Sequence, residues 1–350
     1  MNDGDATIAA VCAAFGLGVP VATERVTAGY LNRDETITLA DGRRLFLKGS
    51  RHHDPRVVAA EHAVIRHAAA RGIPTPPPVV APDGRSVIVV DGTPWSAFPF
   101  VAGAMLAGPE TATTLGHLLA ETHRALASCP TDGPIFAEGP LVWETAATRA
   151  EMETIEGHIA AREAAGAADS FDAFTREAFA ALRQILNATP PPDAFAWLPR
   201  QVIHGDFYPP NLLCDPSGAP VAVLDWEFAT VRPRVWDIAR AIAFTFLGVH
   251  GEAADFAAAQ RCVAAYRGVF ALPDDELTAG IALYLWRTAH NLAKYRWHDE
   301  RGLQPTDSLA PGDLALVRWL HRHGDALAQY LAGGPIPPPP LTGGDGAPVD

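Results

Sequence analysis

The stretch VIHGDFYPPNLL, residues 202–213, decides how the rest of the chain is read. An apolar pair at each end, Val202-Ile203 and Leu212-Leu213, brackets His204, Asp206 and Asn211. A little further on, VAVLDWEF (residues 221–228) repeats the design, with an apolar run and then an acid, Asp225. Short apolar runs of this kind read as buried strands, so two carboxylates and a carboxamide stand at strand ends. Oxygen donors placed there suit Mg2+, which takes hard oxygens and keeps some water and phosphate ligands. Asn211 and Asp225 fit that task, and Asp206 is left free as a base or a hydroxyl-orienting group. His204 reads as a packed histidine bonded to a backbone carbonyl. A metallohydrolase built on His204, Asp206 and Asp225 is the competing reading of the same residues.

A chain of 350 residues with 48% hydrophobic content is long enough for two lobes with substantial cores. No run of about 18 apolar residues is free of charge or proline, so no membrane span is expected. The N-terminus has no basic region of the kind that opens a signal peptide. The four cysteines, Cys12, Cys129, Cys214 and Cys262, are scattered and read as thiols of a reducing, cytoplasmic compartment. A net charge of −13 argues against a nucleic-acid partner, whose phosphates need a basic face. The 27 basic residues comprise 25 arginines and only two lysines, Lys48 and Lys294. A lysine kept in such a chain points to a site that needs a compact point charge and not a planar fork.

Along the chain, residues 5–15 read as a short helix. Three strands follow within 21–49, the last two joined by Asp41-Gly42, a hairpin signal. Pro55 opens a helix that Gly72 closes. More strands run to about residue 100. Helical periodicity then dominates over 111–128, 142–164 and 171–187, and again over 236–248, 253–268, 275–298 and 311–331. Between these two helical stretches lie a Pro-rich connector, 189–201, and the short-strand region 202–228. This predicts an N-terminal β lobe over 1–100, a helical lobe over 101–333 carrying the polar cluster, and a disordered Pro/Gly-rich tail over 334–350.

Phosphoryl transfer asks the protein for positioning, a cation on the phosphates, metal ligands, and a group that receives the hydroxyl proton. Lys48 ends the apolar strand LFLK, and the helix after it holds a single acid, Glu61. A lysine on a strand with a glutamate on the next helix can keep an ammonium aimed at phosphate. The set Lys48, Glu61, HGDxxxxN (His204 to Asn211) and Asp225 in LDWE resembles the protein-kinase-like fold and, within it, the aminoglycoside phosphotransferase family, which also includes homoserine, choline and macrolide kinases. The resemblance covers about residues 20–330, and GTPWSAFPFVAGAML is similar to its homoserine-kinase-like branch.

The resemblance implies an α+β fold with two lobes: a small antiparallel β N-lobe carrying one helix, and a larger, mainly helical C-lobe. It implies an ATP-dependent O-phosphotransferase, with GTP as the other possible nucleotide and Mg2+ as cofactor. Asp206 would be the catalytic base, Asn211 and Asp225 would bind Mg2+, and Lys48, held by Glu61, would meet the α/β-phosphates. Asp237 would brace the catalytic loop. The Pro99 carbonyl and Val101 amide would receive adenine, covered by Phe98 or Phe100. Gly29 and Asn32 stand where protein kinases keep a glycine-rich loop, and Gly205 stands where they keep arginine. The acceptor, a small molecule with a hydroxyl, would be an antibiotic or a related metabolite; a metabolic kinase of the homoserine or choline type, and a kinase-like binding protein without turnover, are the alternatives. Candidates for the acceptor pocket are Glu227, the stretch YRWHDE (Tyr295 to Glu300), Trp286, Arg287 and Asn291.

Overall fold

The computed structural model describes residues 3–26, 32–50, 54–108, 110–131, 143–249 and 253–341. The chain divides into two compact units, one of Met1–Glu138 with Gln201–Val231 and the other of Gly139–Arg200 with Arg232–Asp350.

The first unit opens with α1 (Asp3–Ala14), β1 (Pro20–Val26), β2 (Arg33–Leu39), β3 (Arg44–Gly49) and α2 (Pro55–Ala69), followed by β4 (Ile88–Val90) and β5 (Thr93–Pro99). The strands form an antiparallel sheet in the order β1-β2-β3-β5-β4. The turn between β4 and β5 has positive φ at both Asp91 and Gly92, the backbone that a tight hairpin with right-handed twist requires. Side chains alternate across a strand, and here that alternation places the site. Leu45 and Leu47 point to one face, where Ile8, Val11 and Cys12 of α1 and Phe15 just after it close a core with Ile37, Leu39, Trp95 and Ala97. Lys48 is out of phase with them and belongs to the opposite face. Gly49 follows because the Trp95 indole lies over it: a Cβ there would stand 3.0 Å from the ring.

Helix α2 starts on Pro55 with the Asp54 carboxylate capping the Arg56 amide at 2.7 Å. Its buried stripe, Val58, Glu61, His62, Ile65 and Ala68, follows helical spacing and carries two polar groups inward. Beyond β5 come β6 (Ala104–Met105), α3 (Thr111–Leu126), and, after α4 (Thr145–Ala164) and α5 (Ser170–Leu186) of the other unit, β7 (Arg200–Ile203), β8 (Leu212–Cys214), β9 (Pro220–Val223) and β10 (Thr230–Pro233). Strands β6, β8 and β9 make a small antiparallel sheet. It is anchored at two points. Gly103 passes so close to β8 that a Cβ would stand 2.9 Å from the Cys214 carbonyl, and the Val223 amide donates to the Pro74 carbonyl just beyond α2.

The second unit is helical: α4 and α5, then α6 (Val235–Phe246), α7 (Phe256–Arg267), α8 (Asp274–Ala289), α9 (Ala293–Arg301) and α10 (Ala310–Leu331). Helix α8 packs on α6 and α10. A buried, bidentate Arg234–Glu276 pair at 2.7 Å joins the start of α6 to α8. The single helix expected over 275–298 is two, because the chain turns at His290–Leu292, where the Asn291 side chain accepts the Ala293 amide at 3.2 Å in place of a helical carbonyl. Of the Pro/Gly-rich tail, 334–341 are described, with the Trp319 indole donating to the Pro339 carbonyl at 2.9 Å, and 342–350 lie outside the described residues. Among the described residues no helix is long and apolar enough to cross a membrane.

Phe15 is 3% exposed at the end of α1. Phe15→Ala is expected to lower the unfolding free energy by about 3 kcal/mol through the lost burial and the cavity left behind. Urea unfolding checks this, and an unchanged midpoint would show that α1 does not close the sheet.

Candidate active site

Strand β3 delivers Lys48 to the face of its sheet opposite that core, where its residue is 9% exposed. Its ammonium meets Asp225 Oδ1 at 2.7 Å and Glu227 Oε2 at 3.0 Å. Both acids come from DWE, 177 or more residues away along the chain. Glu227 also accepts the Asn32 side-chain amide at 2.7 Å, just before β2 begins. Asp34 lies opposite Lys48 in the β2–β3 register. Glu61 is buried nearby on α2 and is not one of the two acids in ion-pair contact with the ammonium. The pairing expected between Lys48 and Glu61 is therefore taken by Asp225 and Glu227, whose carboxylates occupy the ammonium's donors, while Glu61 acts on it at longer range.

The electrostatics follow from one ammonium among several acids. Burial alone would lower the Lys48 pKa, but the charges of Asp225, Glu61 and Glu227 more than reverse it, so it is raised. Burial pushes Glu61 up to about 7 against the pull of Lys48. Burial likewise pushes Asp34 up to about 6, with Lys48 opposing and Asp225 and Glu227 adding to the rise. Next to Glu61, burial and the nearby cations Arg66 and Lys48 hold His62 down at about 3, so it is a neutral ring, bonded to Ser86 Oγ at 2.8 Å and edge-on to Phe98.

The HGDFYPPN loop is held from inside. His204 is fully buried; its Nδ1 accepts the Asp206 amide at 3.2 Å and its Nε2 bonds the Leu224 carbonyl at 2.9 Å. An amide can only donate and a carbonyl can only accept, so this histidine is the neutral Nε2–H tautomer. It ties the loop before β8 to the end of β9, and its ring packs on Trp226. Gly205 has φ +86, and a Cβ there would fall 2.3 Å from the Phe228 carbonyl, which is reason enough for glycine at that position.

Asn211 donates both to the Asp206 carbonyl at 2.9 Å and to Asp206 Oδ2 at 3.0 Å. Its amide nitrogen is so engaged, and its Oδ1 is an acceptor that could ligate a cation. The Leu224 amide donates to the Asn211 carbonyl at 2.8 Å, which sets Asn211 beside the residue preceding Asp225. Asp225 holds φ +59, rare for a residue with a side chain, and its side chain is 37% exposed. Trp226 turns inward instead, donating to Thr75 Oγ1 at 3.1 Å and the Val223 carbonyl at 3.2 Å. Lys48 is thus bonded to Asp225, the preceding Leu224 is bonded to Asn211, and Asn211 is bonded to Asp206. Oxygen donors at Asn211 Oδ1 and Asp225 match the hard-ligand chemistry of Mg2+.

The remaining expected residues fall out as follows. Pro99 ends β5 and Val101 is half-buried just beyond it, with the Arg44 guanidinium 3.8 Å over the Phe100 ring between them. Gly29 lies outside the described residues. Asp237 is fully buried in the first turn of α6, three positions inside the helix and not at its cap. Of the acceptor candidates, Glu227 belongs to the Lys48 cluster. The YRWHDE stretch is largely consumed by packing in the helical unit: Tyr295 stacks with Phe174, His298 bonds Asp307, and Asp299 bonds His158 and Arg162. Asp169, Asp172 and His298 gather nearby, but a bidentate Arg162 holds Asp172, and Asp169 caps α5. Lys294, the second lysine, pairs with Asp313. The Asn32–Glu227 contact was not expected; the one cue was the acid two positions after Asp225.

The model of the phosphotransferase enzyme family matches residues 22–272. The chain belongs to that family. This phosphotransferase is similar to homoserine kinase of Zymomonas mobilis, 25% identical over 74% of this chain and 75% of the relative. It is also similar to homoserine kinase of Gluconacetobacter diazotrophicus, 26% identical over 79% of this chain and 80% of the relative. Among solved structures, spectinomycin phosphotransferase in complex with ADP and spectinomycin aligns with a TM-score of 0.60 at 14% identity, covering 93% of this chain and 96% of that one. An aminoglycoside phosphotransferase from Alicyclobacillus acidocaldarius aligns with a TM-score of 0.55 at 20% identity, covering 88% and 91%. The fold is the α+β, protein-kinase-like one, and the chain is an ATP-dependent O-phosphotransferase acting on small molecules.

The raised Glu61 carboxyl has a consequence for stability. Its folded value of about 7 exceeds its ordinary 4.5, so the folded state binds the extra proton and stability is lost as pH rises from about 4.5 to about 7. Glu61→Gln removes that loss. Its stability relative to the unsubstituted protein is expected to grow between pH 4 and pH 8 by up to about 3 kcal/mol. Denaturant melts at several pH values check this; a difference constant with pH would contradict it.

Proposed function

We propose that this phosphotransferase transfers the γ-phosphate of Mg-ATP to a hydroxyl of a small natural product, an aminoglycoside-like antibiotic or a related metabolite. The observation that carries the reading is the contact of Lys48 with Asp225 at 2.7 Å, in the same unit as the Asp206–Asn211 pair. Lys48 supplies a compact, buried positive charge for phosphate oxygens. Asn211 and Asp225 would hold Mg2+, which would neutralise the charge on the phosphates. Asp206, 7% exposed and held through Oδ2 by Asn211, orients the acceptor hydroxyl and takes its proton. The neutral His204 commits its Nε2–H to the Leu224 carbonyl and accepts the Asp206 amide at Nδ1, so it holds the loop of that acid. Pro99 and Val101 are the proposed adenine contacts, and Asn32 stands beside the phosphates. Metal assistance, adenine over guanine, the N- and C-lobe assignment at residue 100 and a cytoplasmic location all belong to this proposal.

A second reading of the acceptor, a small amino alcohol of primary metabolism, is favoured by the homoserine kinase relatives, which match about three quarters of the chain. The antibiotic-kinase structures are too distant in sequence to argue for an acceptor. ATP-consumption assays over homoserine, choline, aminoglycosides, macrolides and sugars separate the two, and no turnover with any of them beside intact nucleotide binding would favour a binding protein.

With an acceptor in hand, Asp206→Ala is expected to lower kcat by about 1,000-fold or more while nucleotide affinity changes little. Equal losses in nucleotide affinity and kcat would remove the base assignment. Lys48→Arg keeps the charge but not its compact geometry, and is expected to lower kcat/KM for ATP by about 10- to 100-fold; turnover at the original rate would contradict the role given to this lysine.

A further inference from the structure

Resting on the phosphotransferase reading above, we propose that Glu227, set by Asn32, is the positioning residue that holds Lys48 toward the phosphates, in place of the helix α2 acid Glu61. Three observations carry this. The first is contact: Glu227 Oε2 stands 3.0 Å from the Lys48 ammonium, whereas Glu61 is not within ion-pair distance of it. The second is shielding. The two acids that touch Lys48 differ sharply, the Asp225 side chain being 37% exposed and that of Glu227 8%. An exposed, half-solvated carboxylate can turn to another cation at small cost, and an acid engaged elsewhere no longer neutralises the lysine at full strength. The shielded one has no solvent to turn to, so it is the constant partner.

The third is that Glu227 is itself held. The Asn32 amide donates to the same Oε2 at 2.7 Å. The orientation of Asn32 is dictated, because its Oδ1 facing Glu227 would set two acceptors together. Two donors, Asn32 Nδ2 and the Lys48 ammonium, share that one carboxylate oxygen. The contact spans 195 residues of sequence and joins the start of β2 to the DWE segment. The arrangement also separates two tasks. Asp225 is released for a ligand, and Glu227 keeps the ammonium from following it.

Calorimetric titration with Mg2+ and a non-hydrolysable ATP analogue tests this without any acceptor. Relative to the unsubstituted protein, Glu227→Gln is expected to weaken analogue binding by about 10-fold, and Asn32→Ala by about 3-fold. Glu61→Gln is expected to weaken it by less than Glu227→Gln, and the Asn32/Glu227 double variant by no more than Glu227→Gln alone, since both act through one contact. Circular dichroism melts accompany each variant, and if Glu227→Gln does not fold, Asn32→Ala against Glu61→Gln decides the order. A larger loss for Glu61→Gln, or additive losses for the double variant, overturns the inference. Failure of the unsubstituted protein to bind the analogue would instead remove the nucleotide reading on which it rests.

Discussion

One buried ammonium organises the first unit. Lys48 is carried inward by a strand whose neighbouring residues face a core on the other side of the sheet, and it meets Asp225 and Glu227 from 177 or more residues further along the chain. Burying an ion is costly unless it is paired and hydrogen-bonded, and here the pairing is overdone: Asp34 and Glu61 also lie in its field and are pushed up by burial. A surplus of acid around one lysine is a poor way to stabilise a fold. It is a sensible way to build a place that receives cations together with a polyanion.

Everything else near the site restrains that pair. His204 clamps the loop of Asp206 to the end of β9, Asn211 fixes one oxygen of Asp206, and Trp226 pins the strand end to Thr75. The backbone is bent to suit: Gly205 lies against the Phe228 carbonyl, and Asp225 occupies the left-handed region. Preorganisation of this kind, with rigid supports behind each functional oxygen, is what positioning chemistry requires.

Much of this was legible in the sequence because it is written in local terms. The apolar pairs around His204 and before Asp225 announce strand ends, Lys48 stands at the end of the apolar strand LFLK, and the lysine-poor composition marks it. The carbonyl bond of His204 was also expected from the residues. What could not be read depends on partners far apart in the chain. Nothing periodic links Asn32 to Glu227, so the sequence points to the next helix for the lysine's acid, whereas the DWE segment supplies the contact. Likewise YRWHDE reads as a candidate lining of the acceptor pocket, while His158, Arg162 and Asp307 absorb its charges. The break at Asn291 rests on one side chain bonding a backbone amide, a choice that helical periodicity does not register.

The most direct measurement is a crystal structure with Mg2+ and a non-hydrolysable ATP analogue bound. The account predicts the Lys48 ammonium on a phosphate oxygen while still within about 3 Å of Glu227, with the Asn211 and Asp225 oxygens on the metal and the Asp206 carboxylate facing the γ-phosphate. A nucleotide bound elsewhere, or one whose phosphates leave Lys48 buried against Asp225 and untouched, would contradict it.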